Sequence, residues 1–155
     1  MAFSLRSPSF ESQGPIPAKH TCQGEDDSPP LAWSDAPAGT KSFALIVDDP
    51  DAPDPAAPKQ TWVHWVVFDL PAGTSSLAAG AAPPPGARPG RNDYGNERWN
   101  GPCPPIGRHR YVHKLYALDV TLGDVGPLSK PALEKAMKGH VLEQTQLIGT
   151  YQKQR

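Results

Sequence analysis

Apolar positions in this chain alternate more often than they cycle. Over residues 109–119 aromatic and branched residues recur with a period of two, which predicts a β-strand. That period places His109, Tyr111, His113, Leu115 and Ala117 on one face, and Arg110, Val112, Lys114, Tyr116 and Leu118 on the other. Residues 42–49 are apolar on both faces through Phe43, Ala44, Leu45, Ile46 and Val47, the pattern of a central strand. Asp49 has the parity of Phe43, Leu45 and Val47, so it is expected to point toward the core, where a carboxylate needs a partner. Pro50-Asp51-Ala52-Pro53 then follows and is expected to end the ladder. Residues 61–70 form the next strand, with Trp62, His64, Val66 and Phe68 on one face and Val63, Trp65 and Val67 on the other. Phe3 and Leu5 mark a short strand at the start, and 147–151 looks like a last one.

Only one stretch carries a helical period. Residues 129–139 place Leu133, Ala136 and Met137 on one face, with Ser129 or Lys130 at the cap, Pro131 in the first turn and Gly139 as the stop. Residues 141–144 are read as an extension of that helix. Residues 72–100 are rich in Gly, Ala and Pro with almost no periodicity, and long ordered connections are often functional. Strands with one late helix predict a mainly β fold with a peripheral helix, not a doubly wound one. The length of 155 residues suits a single domain spanning 1–155.

Composition narrows the function classes. A net charge of −1 with 20% charged residues argues against a general nucleic-acid binder. Bases gather between Gly86 and Lys114 and acids between Glu25 and Asp54, so the two regions are expected to attract each other within the fold. No apolar run approaches a membrane span, and no signal peptide is read at the start. The 20 prolines and 14 glycines lie between apolar runs, which favours loops and sheet edges over disorder. Two cysteines, Cys22 and Cys103, make neither a secreted framework nor a structural zinc site. In a cytoplasmic chain they are expected to stay thiols.

The candidate chemistry is a convergent polar group: Asp49, His64, His109 and Tyr111 beside the stiff loop Gly101-Pro102-Cys103-Pro104-Pro105-Ile106-Gly107. Asp49 is read as the natural partner of His64. Such a group supports three chemistries. Two histidines and a carboxylate bind a metal. A histidine beside a nucleophile such as Cys103 catalyses acyl transfer. Protonated histidines with loop N–H groups hold an anion. On the last reading, His64 and His109 donate as imidazolium, and anion affinity falls between roughly pH 6 and pH 8.

Several pieces resemble the phosphatidylethanolamine-binding protein family in its bacterial Raf kinase inhibitor-like branch. They are Asp49-Pro50-Asp51-Ala52-Pro53, Trp62-Val63-His64-Trp65, the Gly101–Gly107 loop, and His109-Arg110-Tyr111. His20-Thr21-Cys22, Gly24-Glu25-Asp26, Ser28-Pro29-Pro30-Leu31 and the tail from Gly139-His140-Val141-Leu142 to Gly149-Thr150-Tyr151 extend it over nearly the whole chain. The resemblance implies a large antiparallel sheet packed on a smaller one, with a helix toward the C-terminus. It also implies a non-enzymatic protein whose small pocket takes a phosphate-like anion, either a phospholipid head group or a phosphorylated residue. Asp49 and His64 would line that pocket with His109 and Tyr111 opposite, and Pro50, Gly101, Pro104 and Pro105 would shape it. No cofactor is implied. A homodimer is, with Trp33, Trp99 and the Pro-rich loops as interface, and both cysteine loops are placed near the same end of the domain. The chain is read as cytoplasmic. In eukaryotic relatives the pocket is associated with kinase regulation, and bacterial chains can keep the pocket without that partner; a protein kinase or protease is the protein partner considered. The alternatives are a hydrolase or metal-dependent enzyme on Asp49, His64 and His109 or on Cys103, and an inhibitor of a protease or kinase acting through surface loops. One departure stands out. Trp99-Asn100-Gly101 replaces the Tyr-Gly-Gly usual in that branch, and the bulkier side chains are expected at the pocket mouth.

Overall fold

A computed structural model describes residues 2–154. Eight strands and one α-helix are present: β1 (Ser4–Arg6), β2 (Leu31–Ser34), β3 (Ser42–Ala52), β4 (Gln60–Pro71), β5 (Ser76–Leu77), β6 (Arg88–Pro89), β7 (Arg108–Leu118), α1 (Lys130–Met137) and β8 (Val141–Gln152). They form a five-stranded antiparallel sheet in the order β6-β4-β3-β7-β8 and a three-stranded one in the order β1-β2-β5. β3 is central, as its two apolar faces require. Phe43, Leu45 and Val47 pack with Leu5, Leu31 and Trp33 of the small sheet. Ala44 and Ile46 pack with Leu133 and Met137 of α1. Each large apolar side chain buried this way contributes about 1.5–3 kcal/mol. One strand thus serves two cores, and the expected large sheet on a smaller sheet with a late helix is the fold found.

The helix runs as its signals indicate. Ala132 N–H donates to Ser129 Oγ at the N-cap, and Gly139 sits at φ +84° just past the C-cap Lys138. Beyond it the expectation fails, because residues 141–144 do not extend α1 but begin β8. Leu, Glu and Gln are good helix formers, yet Glu143 pairs with Ala117 and Gln144 with Tyr116 of β7, and the ladder overrides local propensity. β3 likewise continues past Asp49. Register shifts around 50–51 absorb the missing proline N–H before Ala52 pairs with Gln60.

The acid-rich and base-rich regions meet. Lys114 Nζ lies 2.9 Å and Lys130 Nζ 2.7 Å from the buried Asp48 Oδ2, tying β7 and α1 to β3. Arg110 grips Asp51 with Nε at 3.0 Å and Nη2 at 2.8 Å. Trp33 and Trp99, expected at an intersubunit surface, are buried inside the chain instead. No helix of the described residues is long and apolar enough to cross a membrane.

The two cysteines are not thiols. Cys22 and Cys103, 81 positions apart, form a disulfide that ties the 18–27 segment to the Gly/Pro loop before β7. The resemblance places both cysteine loops near the same end of the domain, and the structure brings them into contact; the expectation of free thiols failed because it treated the chain as cytoplasmic.

Candidate functional site

Three strands of the large sheet present polar side chains toward the small-sheet side at one end of the domain. On β7, strict alternation carries His109 and Tyr111 to the same face as Leu115 and Ala117. On β3, Asp49 follows the parity of Val47 as expected. β4 departs from alternation. Val47 pairs with Trp65 and Asp48 with Val63, so His64 has no opposite residue and forms a β-bulge. Alternation grouped His64 with Val66 and Phe68, which pack on the helix side. The bulge turns His64 the other way, edge-on to Tyr111 with ring centroids 5.2 Å apart.

The 92–100 segment holds that bulge from the outer edge of β4. Val63 N–H donates to Asp93 Oδ2 at 2.7 Å, and Asn100 N–H donates to the His64 carbonyl at 3.2 Å. The buried Asn92 amide reaches the His64 carbonyl at 3.0 Å, the Arg98 carbonyl at 2.8 Å and Asn100 Oδ1 at 2.7 Å. Asn92 is the residue that sequence reasoning missed; an Asn in an aperiodic loop carries no signal of such a role.

The result is a half-open cavity of about 200 Å³. Asp49, His64, His109 and Tyr111 are its buried polar wall, and Trp62, Tyr94, Pro104 and Pro105 stand around them. Ala52, Pro53, Gln60 and Cys103 complete the lining. Two expected residues are absent from it. Pro50 lies in the irregular stretch of β3, half-buried. Gly101 acts behind the wall: its N–H donates to Asp26 Oδ1 at 2.8 Å, and a Cβ there would sit 2.2 Å from the His20 carbonyl. Trp99 and Asn100 do not reach the mouth either. The Trp99 indole is buried against Trp65 and donates to the His20 carbonyl at 3.1 Å, and Asn100 is engaged by Asn92 and Asn96.

Hydrogen bonding assigns the protons. Asp49 partners His109, not His64: Asp49 Oδ2 is 2.6 Å from His109 Nδ1, and Asp49 Oδ1 accepts from Asp51 N–H at 2.7 Å. His109 Nε2 lies 2.8 Å from the Ile106 carbonyl. A carbonyl only accepts, so Nε2 carries hydrogen, and one more proton lies between Nδ1 and the carboxylate. The pair is neutral as a unit, and both ring nitrogens are occupied. His109 therefore has no donor left for an anion and no lone pair for a metal, which removes it from both roles. His64 Nδ1 is 2.6 Å from the Asn100 carbonyl, and its Nε2 makes no hydrogen bond among the described residues. Burial pushes the His64 pKa below the usual histidine value, outweighing the Asn100 carbonyl and the Asp49, Asp48 and Asp93 charges that raise it. His64 is thus neutral at pH 7, not the imidazolium expected. Burial first, and the Asp49 charge second, push the Tyr111 phenol far up, so it stays protonated as a donor. Its hydroxyl, too, has no partner among the described residues.

Neither arginine that flanks His109 enters the cavity. Arg110 is held by Asp51, and Arg108 Nη1 reaches Thr150 Oγ1 at 3.3 Å. Among the described residues no Lys or Arg lines it, and no group of three His, Cys, Asp or Glu side chains is placed to hold a metal ion. Cys103 Sγ is in the disulfide and is no nucleophile. A larger groove of about 480 Å³ lies against Trp65 and Trp99. Two of its acids already pair outward, Asp27 with Lys19 and Glu97 with Arg91, and it lacks a convergent set of buried polar groups.

Comparison with known proteins agrees with this architecture. The family model described as phosphatidylethanolamine-binding protein matches residues 6–152. A UPF0098 protein of Methanothermobacter thermautotrophicus is 43% identical over 97% of this chain and 99% of its own. The crystal structure of a phosphatidylethanolamine-binding protein homologue from Chlamydia trachomatis superposes with a TM-score of 0.92 at 43% identity, covering 99% of both chains. E. coli YbcL, described as a member of the mammalian PEBP family, superposes with a TM-score of 0.87 at 31% identity, covering 99% of this chain and all of that one (100%).

Proposed function

This chain belongs to the phosphatidylethanolamine-binding protein family, and from that premise we propose that it is a non-enzymatic binding protein whose cavity takes a phosphate-bearing group. The observation that carries this reading is the wall of Asp49, His64, His109 and Tyr111. Four buried polar side chains from three strands converge on about 200 Å³, and two of their polar atoms, His64 Nε2 and the Tyr111 hydroxyl, make no hydrogen bond among the described residues. Both atoms are accessible from the cavity, so the wall offers a polar ligand one acceptor and one donor. The rings of Trp62, Pro104 and Pro105 and the ring face of Tyr94 narrow the cavity, which strengthens a hydrogen bond made inside.

Binding is favoured over catalysis because the lining pairs no base with a nucleophile. Cys103 is bonded to Cys22, His109 has no free nitrogen, and His64 Nε2 keeps a lone pair but has no Ser, Thr or free Cys among the described lining residues to activate. Regulation of a kinase or protease enters this proposal through a phosphorylated residue on that partner, not through the 72–100 loops. A disulfide persists best in an oxidising compartment, so the cytoplasmic expectation is not carried further. A homodimer would have to use surfaces other than Trp33 and Trp99, such as the open edge of β8 at 141–146.

The test is calorimetric titration of the purified protein with methyl phosphate, alongside phosphatase and esterase assays. Saturable binding at one site per chain without turnover supports the proposal. Turnover of a phosphate or carboxylate ester, or no binding at millimolar ligand, refutes it.

A further inference from the structure

His64 meets the cavity with a single ring nitrogen. Its Nδ1 lies 2.6 Å from the Asn100 carbonyl, which can only accept, so Nδ1 carries the hydrogen. Nε2 of the neutral ring is then a lone pair, an acceptor turned to the ligand. The charged and titratable groups around this ring come from three elements. β3 brings Asp49, bonded to His109, and Asp48, bonded to Lys114 and Lys130. β7 brings His109, Tyr111 and the buried His113, and the 92–100 segment brings Asp93 and Tyr94. The nearby carboxylates favour a protonated His64, yet burial outweighs them.

The rest of the wall offers no cation. The Asp49–His109 pair is neutral as a unit, and no Lys or Arg lines the cavity among the described residues. Its donors are the uncharged Tyr111 and Tyr94 hydroxyls, with the Trp62 indole turned to Tyr94 and the Gln60 amide also in the lining. A fully ionised oxyanion would therefore bring its charge against a histidine lone pair with nothing positive in contact. A ligand with both a hydroxyl and anionic oxygens fits this wall. Its O–H donates to His64 Nε2 while another oxygen accepts from Tyr111.

Resting on the binding reading above, we infer that this cavity selects a phosphomonoester in its singly protonated form over a phosphodiester or sulfate. A phosphodiester, the chemistry of a phospholipid head group, has no P–OH to donate, and sulfate has none near neutral pH. A phosphorylated side chain or a free phosphomonoester retains one. Sites built to accept a hydrogen bond reject analogues lacking the donor strongly, because the buried acceptor is left unpaired.

The experiment titrates the full chain with methyl phosphate, dimethyl phosphate and sulfate at pH 6. Methyl phosphate is expected to bind at least about tenfold more tightly than either other ligand. Its affinity should fall about tenfold per pH unit above the second phosphate pKa near ~6, as the monoanion is depleted. Equal affinity for the three, or tightest binding of the diester, overturns this inference and leaves an anion pocket standing. Failure of all three to bind overturns the binding reading with it. His64→Gln, whose amide can also donate, should bring sulfate to within a few-fold of methyl phosphate; an unchanged preference removes His64 from the role. Nitrogen-15 shifts of His64 in the unsubstituted protein give a readout independent of any variant. A ring protonated at Nδ1 only is expected near pH 7, and one protonated at Nε2 overturns the assignment.

Discussion

Removing the Cys22–Cys103 disulfide perturbs this fold strongly and by a calculable amount. The bond closes a loop between residues 81 positions apart that includes β2 to β6 and the 92–100 segment. In the chain-entropy relation a loop of that length restricts the unfolded chain by about 4.5 kcal/mol. Domains of ordinary stability have about 5–15 kcal/mol in all, so the loss is large without guaranteeing unfolding. Other ties remain between the same segments: Cys22 N–H to the Pro102 carbonyl at 3.1 Å, Gly101 N–H to Asp26 Oδ1 at 2.8 Å, and the Trp99 indole to the His20 carbonyl at 3.1 Å. Unfolding entropy for a domain of this size converts the loss to a Tm decrease of roughly 14 °C. The assay compares the native protein with the Cys22→Ser/Cys103→Ser double variant by scanning calorimetry without reductant, preceded by thiol titration. No titratable thiol is expected in the native protein. Two free thiols in protein prepared without reductant would refute the reasoning, as would a Tm decrease below about 3 °C.

Three further outcomes follow from the same contacts. Burial lowers the His113 pKa to about 4, with Nδ1 3.0 Å from the Tyr111 carbonyl and Nε2 without a well-aligned partner. The fold keeps this ring neutral while the unfolded chain protonates near ~6.5, so its contribution is complete above that pH. That contribution declines as pH falls toward 4 and levels off below; about 2.4 kcal/mol of it is lost between pH 7 and pH 4.5, a difference in urea stability that His113→Leu should largely remove. Tyr111→Phe deletes a hydroxyl that makes no hydrogen bond among the described residues, so Tm should hold within a few degrees while methyl phosphate binding weakens about 3- to 10-fold; an unchanged affinity would take Tyr111 out of the site. Gly101→Ala would set a Cβ 2.2 Å from the His20 carbonyl and 2.3 Å from Asp26 Oδ1, and chemical denaturation should register a loss of more than about 2 kcal/mol.

An apolar run on both faces was enough to locate β3 and its central place, and period-two patterning located β4, β7 and the shared face of His109 and Tyr111, because side-chain direction along a regular strand is a local property. The helix signals over 129–139 are local in the same sense: a serine at the cap, a proline in the first turn and a glycine just beyond the end. The resemblance named the correct family, and six of the eight residues it placed at the pocket line the cavity, while Pro50 and Gly101 do not. What the local pattern could not contain were matters of register and contact between distant segments. Alternation sent His64 to the helix side. Pairing of Val47 with Trp65 and of Asp48 with Val63 leaves His64 over as a bulge and returns it to the cavity. Residues 141–144 have helical composition, and only β7 alongside makes them a strand. The Cys22–Cys103 bond joins loops 81 positions apart. Protonation was decided at the same level. Sequence suggested two imidazolium rings facing an anion, but packing placed His109 between Asp49 and the Ile106 carbonyl and set His64 on the Asn100 carbonyl in a buried site. A side chain's charge and free lone pairs depend on which acceptors the fold brings within 3 Å and how much water it removes, and neither is a property of any short stretch of chain.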